Sequence, residues 1–148
     1  MKAIIYYLGI TICLFFASCG GSKLTSTYGS PNVKQTLLDQ NTFKIDKYAT
    51  DTTYGYSQSN PIMVGGGNEG PLNERRFLNA LTGPNGEPIT YKRLRSCCQF
   101  TTKNGLFDNT GLLDMYEVAH KGLEKPVTLY INMYDSDELK IPVGFLKK

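Results

Sequence analysis

The 148-residue chain contains no tryptophan and a single histidine, His120. One imidazole excludes the multi-histidine metal centres and leaves little for imidazole-based proton transfer. No sign of charge dominates: 16 Lys+Arg stand against 13 Asp+Glu, a formal net charge of +3, with no long charged run. That balance does not single out nucleic acid, and no nucleic-acid partner is expected. Serine-elbow, zinc and calcium-loop patterns are missing. The one glycine-rich stretch, "VGGGNEGPLNERR" (64–76), lacks the Gly-Lys-Ser/Thr ending of a phosphate loop and the spacing of a dinucleotide fingerprint. There is no internal repeat. Past the N-terminus no apolar run approaches the roughly 20 residues that span a bilayer. These absences remove the best-marked catalytic and nucleotide-binding classes. The sequence assigns no catalytic residue, no metal ligand and no cofactor.

What is present begins at the N-terminus. Lys2 precedes "AIIYYLGITICLFFA" (3–17), followed by Ser18-Cys19-Gly20. A short positive end, an apolar run too short to span comfortably and small residues at its close read as a secretory signal over 1–18. "FASC" (16–19) resembles the lipobox of bacterial lipoproteins, with Phe16 where leucine is commonest. The resemblance implies a lipidated Cys19 as first residue of the mature chain, carrying a diacylglycerol and an acylated amine. Two or more acyl chains hold a protein stably to a membrane. Gly20, where inner-membrane retention would place aspartate, implies the outer membrane. "GGSKLTS" (20–26) lacks the acidic cluster of surface-exported lipoproteins, which favours the periplasmic face. The alternative is an ordinary cleaved signal with Cys19 as a bystander.

Cleavage after residue 18 leaves about 130 of the 148 residues and takes away Lys2, so the mature charge is +2. Residues 19–40 read as the lipidated cysteine and a flexible tether rich in Gly, Ser, Thr and Asn, with a root-mean-square reach of roughly 25 Å. Val33, Leu37 and Leu38 could start a short helix or dock on the domain. Residues 41–148 form one globular domain, large enough to bury a core without disulfide staples.

Within that domain "FKIDKYAT" (43–50) and "PIMV" (61–64) read as short strands. The stretch 68–84 gives the one clear helix signal. Pro71 suits a first turn, Gly83-Pro84 stops the chain, and Leu72, Phe77, Leu78 and Leu81 share a stripe that leaves Arg75 and Arg76 mostly outside. Strands follow at 89–100, 112–120 and 127–135, with a possible last one at 141–145. In 127–135, Val127, Leu129, Ile131 and Met133 alternate with Thr128, Tyr130, Asn132 and Tyr134. The expected fold is α+β: an antiparallel sheet of about five strands with one main helix packed on one face.

"LRSCCQF" (94–100) raises the sharpest chemical question. With Cys13 in the signal and Cys19 acylated, Cys97 and Cys98 are the only free thiols, in an oxidising compartment. Adjacent Cα atoms lie about 3.8 Å apart, closer than ordinary disulfides want, and neighbouring side chains on a regular strand point to opposite faces. Three readings stay open. One cysteine fills the core while the other sits at a surface; or the pair closes a vicinal disulfide where the backbone turns; or it serves as a metal or catalytic thiol. A soft-metal site would need more ligands, for which only His120, Met115 and Met133 offer themselves.

Other features are less specific. The glycine stretch could cradle an anion at the helix start, although a tight turn with close packing fits as well, and Glu69, Glu74, Arg75 and Arg76 could form a charged cluster beside it. Asp108, Asp114, Glu117, Asp135, Asp137 and Glu138 are scattered, and no spacing marks an acid–base pair. Ten tyrosines suggest polar-rimmed contact surfaces, notably Tyr54, Tyr56, Tyr130 and Tyr134, or ordinary sheet packing.

The stretches "YATDTTYGYSQSNPIMVGGGNEGPLNERRFLNAL", "RLRSCCQF", "GLLDMYEV" and "LYINMYD" resemble a family of small Gram-negative lipoproteins, over about 47–145. Members have carried the label 2-dehydro-3-deoxyphosphooctonate aldolase. The aldolase activity in that label belongs to a (β/α)₈ barrel of roughly 250 residues, about twice this mature chain. Three functions are therefore expected, in descending order. The first is a lipid-anchored, non-enzymatic accessory protein with an envelope protein as partner. The second is a thiol- or metal-handling protein built on Cys97 and Cys98. The third is the aldolase of the label.

Overall fold

The computed structural model describes residues 33–148 together with Leu24–Thr25. The segment expected to be a signal, Cys19 and most of the expected tether lie outside the described residues. Among the described residues no helix is long and apolar enough to cross a membrane.

The frame is a meander of three strands: β7 (Ile89–Thr101), β8 (Thr110–His120) and β9 (Val127–Asn132). β8 pairs antiparallel with both neighbours, with Arg93 opposite Tyr116 on one side and Tyr116 opposite Leu129 on the other. Two short strands extend it at the flanks. β1 (Leu24–Thr25) runs parallel to the end of β7, and β5 (Ile62–Met63) runs parallel to β9. The sheet order is β1-β7-β8-β9-β5.

The expectation of one antiparallel sheet is thus corrected. The five-stranded sheet is mixed, and three separate two-stranded sheets accompany it. These pair β2 (Leu37–Asp39) with β3 (Thr42–Phe43), β4 (Lys47–Tyr48) with β10 (Lys140–Ile141), and β6 (Leu81–Thr82) with β11 (Leu146–Lys147). The strand expected over 43–50 is broken into β3 and β4, and of the one expected over 141–145 only Ile141 is in a strand, at the end of β10, while 142–145 lies between β10 and β11. Two-residue strands carry no side-chain period, so alternation along the sequence cannot reveal them. β1 and β2 also bring part of 19–40 into register with the domain.

The helix is α1 (Gly70–Leu78), entered through a 3-10 turn at Gly67–Glu69 with Pro71 at its start. Phe77 and Leu78 are fully buried and belong to one apolar cluster with Val64, Tyr116, Val118, Leu129 and Ile131. Leu81 is buried too, in β6 just past the helix, while Leu72 is only half-buried. Arg75 is exposed, but Arg76 departs from the stripe argument and is buried. Its guanidinium donates to the Gln40 carbonyl at 2.9 Å, to Glu69 at 2.7 Å and to Asn73 at 2.8 Å, so the helix clamps the chain between β2 and β3.

The glycine stretch serves packing. A Cβ on Gly66 would stand 2.3 Å from the Met133 carbonyl oxygen, and one on Gly70 would stand 3.0 Å from the Met133 sulfur. The backbone there closes on the 133–136 turn. The tyrosines of "YGY" likewise pack. Tyr54 and Tyr56 lie against the core; Tyr56 donates to the Val143 carbonyl at 2.6 Å and Tyr54 accepts from the Lys140 amide at 3.3 Å.

Candidate functional site

Two arrangements of side chains stand out, and both are built by irregularities in β7. The register of β7 against β8 slips between Arg93 and Arg95 and again between Cys97 and Gln99, so Leu94 and Cys98 are each an extra residue. An extra residue shifts the alternation of everything after it. Arg93 and Ser96 are three apart and would face opposite ways on a regular strand. The bulge at Leu94 puts both on the face of Asp114 and Tyr116.

On that face Asp114, almost wholly buried, takes two hydrogen bonds from Arg93, at 2.6 and 2.8 Å, and one from Ser96 at 2.7 Å. The Arg93 guanidinium is half-exposed and closes the buried carboxylate from the solvent side. Its own pKa is raised, chiefly by these hydrogen bonds to Asp114. Behind Asp114 lies Glu74, with no exposed surface. Its Oε2 accepts from the Tyr116 hydroxyl at 2.9 Å, and its Oε1 has no partner among the described residues. Burial first, then the Asp114 charge and hydrogen bonding to Asp114, push the Glu74 carboxyl up to about 8. A protonated Glu74 accounts for both facts, because its hydroxyl can donate to Asp114. Tyr116 is held above its usual range, first by burial and then by Glu74, so it remains a neutral donor.

The sequence suggests a charged cluster of Glu69, Glu74, Arg75 and Arg76 beside the glycine stretch, and it leaves Asp114 among scattered carboxylates. The structure separates the first group, with Glu69 and Arg76 on one side of the helix and Glu74 under it. It joins Glu74 to Asp114 instead. A usable signal exists: Glu74 precedes Phe77 by three and Leu78 by four, which sets a carboxyl on the apolar stripe.

The second arrangement is the cysteine pair. Cys97 and Cys98 are joined by a disulfide, with Cα atoms 3.8 Å apart. Cys98 is the bulged residue and adopts φ 54°, so the backbone turns at the position where a regular strand would have aimed the two sulfurs apart. Cys97 stands opposite Leu113, on the sheet face away from Asp114, and both cysteines are half-buried. The partition into one core and one surface cysteine therefore does not describe the pair.

Such a ring closes between neighbours, so it restricts the unfolded chain very little and is worth about 1 kcal/mol on the loop-entropy relation. Reduction is expected to leave the melting midpoint nearly unchanged, while thiol titration rises from zero to two per domain. Two free thiols in a non-reducing preparation of the mature protein would rule the ring out.

The remaining candidates are not brought together. Met115 and His120 sit five residues apart on β8, about 17 Å along a strand, and His120 instead contacts the Lys121 carbonyl and the Phe145 ring. No group of three or more His, Cys, Asp or Glu side chains that could hold a metal occurs among the described residues. Asp135 is buried in a satisfied network, accepting from Thr102 at 2.6 Å, Asn104 at 2.9 Å and Asn132 at 3.0 Å. Comparison with family models, curated proteins and solved structures returned no match.

Proposed function

We propose that the mature chain is a lipid-anchored, non-catalytic interaction module, acylated at Cys19 and held at the periplasmic face of the outer membrane. The anchor rests on "FASC" and Gly20. The observation that carries the interaction reading is β7 itself. Thirteen residues long, it pairs on its outer side only at Phe100 and Thr101 among the described residues, and Lys92, Leu94 and Arg95 along it are exposed. An open edge of this length invites a partner, while its bulges and cations resist indiscriminate strand pairing. The Glu74–Asp114 pair, by contrast, is buried beneath the helix, with the Arg93 guanidinium closing it from the solvent side.

A photo-crosslinking residue at position 95 tests this in whole envelopes. It is expected to give a discrete protein adduct that the same residue at position 124, in the opposite turn, does not give. Cys19→Ser is expected to release the chain from membranes, or to leave an uncleaved precursor, and to abolish the adduct. Normal retention of a cleaved Cys19→Ser chain would sink the anchor. Equal or absent adducts at 95 and 124 would sink the interaction surface.

One observation favours a second reading, a thiol-handling role: the ring at Cys97 and Cys98 lies on this same exposed strand. It predicts that reduction changes the adduct at position 95 without melting the domain.

A further inference from the structure

We propose that the Cys97–Cys98 ring exchanges its disulfide with a protein dithiol, opening by attack on the Cys98 sulfur while Cys97 departs as a thiolate beside Arg95. This rests on the thiol-handling reading above. Both cysteines are half-buried, and Ser96 and Gln99 on either side of them are exposed, so the ring meets solvent. β7 carries three cations, Lys92, Arg93 and Arg95, and no carboxylate.

The bulge that joins the sulfurs is pinned on both sides by other groups. Upstream, Arg93 and Ser96 hold Asp114 with hydrogen bonds of 2.6, 2.8 and 2.7 Å. Downstream, Phe100 is buried edge-on to the Tyr134 ring, and a Cβ on Gly111 would stand 2.6 Å from the Phe100 ring. Cys97 lies opposite Leu113 and Gln99 opposite Leu112, so Cys98 remains the extra residue whether or not the sulfurs are bonded. Reduction therefore leaves two neighbouring thiols at a backbone turn that the flanks maintain.

Arg95 makes the two sulfurs unequal. It stands opposite Met115, and Cys97 opposite Leu113, so both lie on the sheet face away from Asp114. They are two residues apart, about 7 Å along the strand. Arg93 is tied to Asp114, whereas exposed Arg95 has no ion-pair partner among the described residues. On that face of β8 the one carboxylate is Glu117, which stands opposite Lys92 and about 13 Å along the strand from Leu113. A cation beside a cysteine favours its thiolate, and the sulfur that carries charge more easily is the better leaving group. Cys97 is thus the sulfur that leaves and Cys98 the sulfur attacked.

A substrate thiolate bonds to the Cys98 sulfur as the Cys97–Cys98 bond breaks, and the bonding pair leaves on Cys97. The Cys97 thiolate sits next to this mixed disulfide and reverses the step against any monothiol. A dithiol escapes that return: its second sulfur attacks its first, and Cys98 is released as a thiolate. The substrate's two protons end on Cys97 and Cys98, so the dithiol becomes a disulfide and the ring becomes two thiols.

The test uses the full chain in detergent as wild type, Arg95→Gln, Arg95→Lys and Lys92→Gln. Arg95 is exposed and without an ion-pair partner among the described residues, so the variants keep the fold, which melting midpoints check. Ring opening by dithiothreitol at neutral pH is timed by acid quench and mass spectrometry, and the reduced proteins are then treated with limiting iodoacetamide. The expected result is opening several-fold slower in Arg95→Gln, restored in Arg95→Lys and unchanged in Lys92→Gln. Alkylation is expected mainly on Cys97 in the wild type and evenly on both cysteines in Arg95→Gln. Equal opening rates in wild type and Arg95→Gln, equal slowing in Lys92→Gln, or alkylation mainly on Cys98 would overturn the inference and leave the thiol-handling reading standing. So would glutathione that opens the ring as completely as dithiothreitol at equal thiol concentration. Two free thiols before any reductant is added would overturn both the inference and that reading.

Discussion

Truncating Phe77 to alanine is expected to lower stability by about 3–5 kcal/mol, a large share of the roughly 5–15 kcal/mol that holds a domain of this size. Phe77 has no exposed surface and packs where the helix meets the sheet, among Val64, Leu78, Tyr116, Leu129 and Ile131. Removing its ring takes contacts from both layers at once, and α1 has only nine residues with which to readjust. Urea melts of the two proteins measure the loss directly, and the denaturant dependence should be unchanged if the folded state keeps its form. Leu106→Ala, at an exposed position, serves as the comparison and should move stability by no more than about 0.5 kcal/mol. A Phe77→Ala loss below about 1 kcal/mol would mean that the helix does not cover the sheet.

The helix and the meander were legible because each is written in local chemistry. Pro71 marks the start of α1, although the helix ends at Leu78 and not at the expected stop, Gly83, because Leu81–Thr82 pairs as β6, and the alternation through Leu129 and Ile131 marks β9 (Val127–Asn132) as covered on one face. The parallel partners were not legible. β1 and β5 join the sheet through two-residue registers with segments about 70 positions away, and nothing in "LT" or "IM" announces such a partner. Nor was the other face of β9 open in the way alternation implied. Asn132 is buried there because its carboxamide accepts from the Tyr134 and Asp135 amides and donates to the Asp135 carboxylate, capping the turn. β7 carries little apolar alternation because most of it is exposed, and its two bulges break what remains. The adjacency of Cys97 and Cys98 was visible; the left-handed backbone at Cys98 that lets them meet was not.

The candidate chemistry was hidden for a related reason. A carboxyl on an apolar stripe can be read as a tolerated defect or as half of a buried pair, and only the register across the sheet decides. Once Asp114 and Tyr116 are seen to share a face beneath Glu74, the pair explains its own neighbours. Arg93 offsets the Asp114 charge from the solvent side, Ser96 takes part of the hydrogen bonding, and Tyr116 satisfies one Glu74 oxygen. Protein groups thus surround both carboxyls, which is the arrangement of a structural polar network more than of a site awaiting substrate.

The same pair gives the molecule a marked dependence on pH. In the unfolded chain Glu74 titrates near its ordinary value of 4.5, and in the folded protein near 8. Between those values the native state holds a proton that the unfolded state has released. Stability from this group is therefore fully present below about pH 4.5 and falls by about 1.4 kcal/mol for each unit of rise, until it levels off above the folded value. The accumulated loss is on the order of 5 kcal/mol, comparable to deleting a core side chain. Glu74→Gln removes the ionisation while keeping the shape. Its carbonyl can still accept from Tyr116, and its amide can donate to Asp114, as the protonated carboxyl does. In urea melts from pH 5 to 9 the wild type should weaken steadily, whereas Glu74→Gln should stay nearly flat across the interval. The two should agree within about 1 kcal/mol at pH 5 and separate by several kcal/mol at pH 9, with the variant the more stable. Parallel curves for the two proteins would show that Glu74 is already ionised in the folded state at pH 5, and that its buried position is sustained by solvation or partners other than Tyr116 and Asp114.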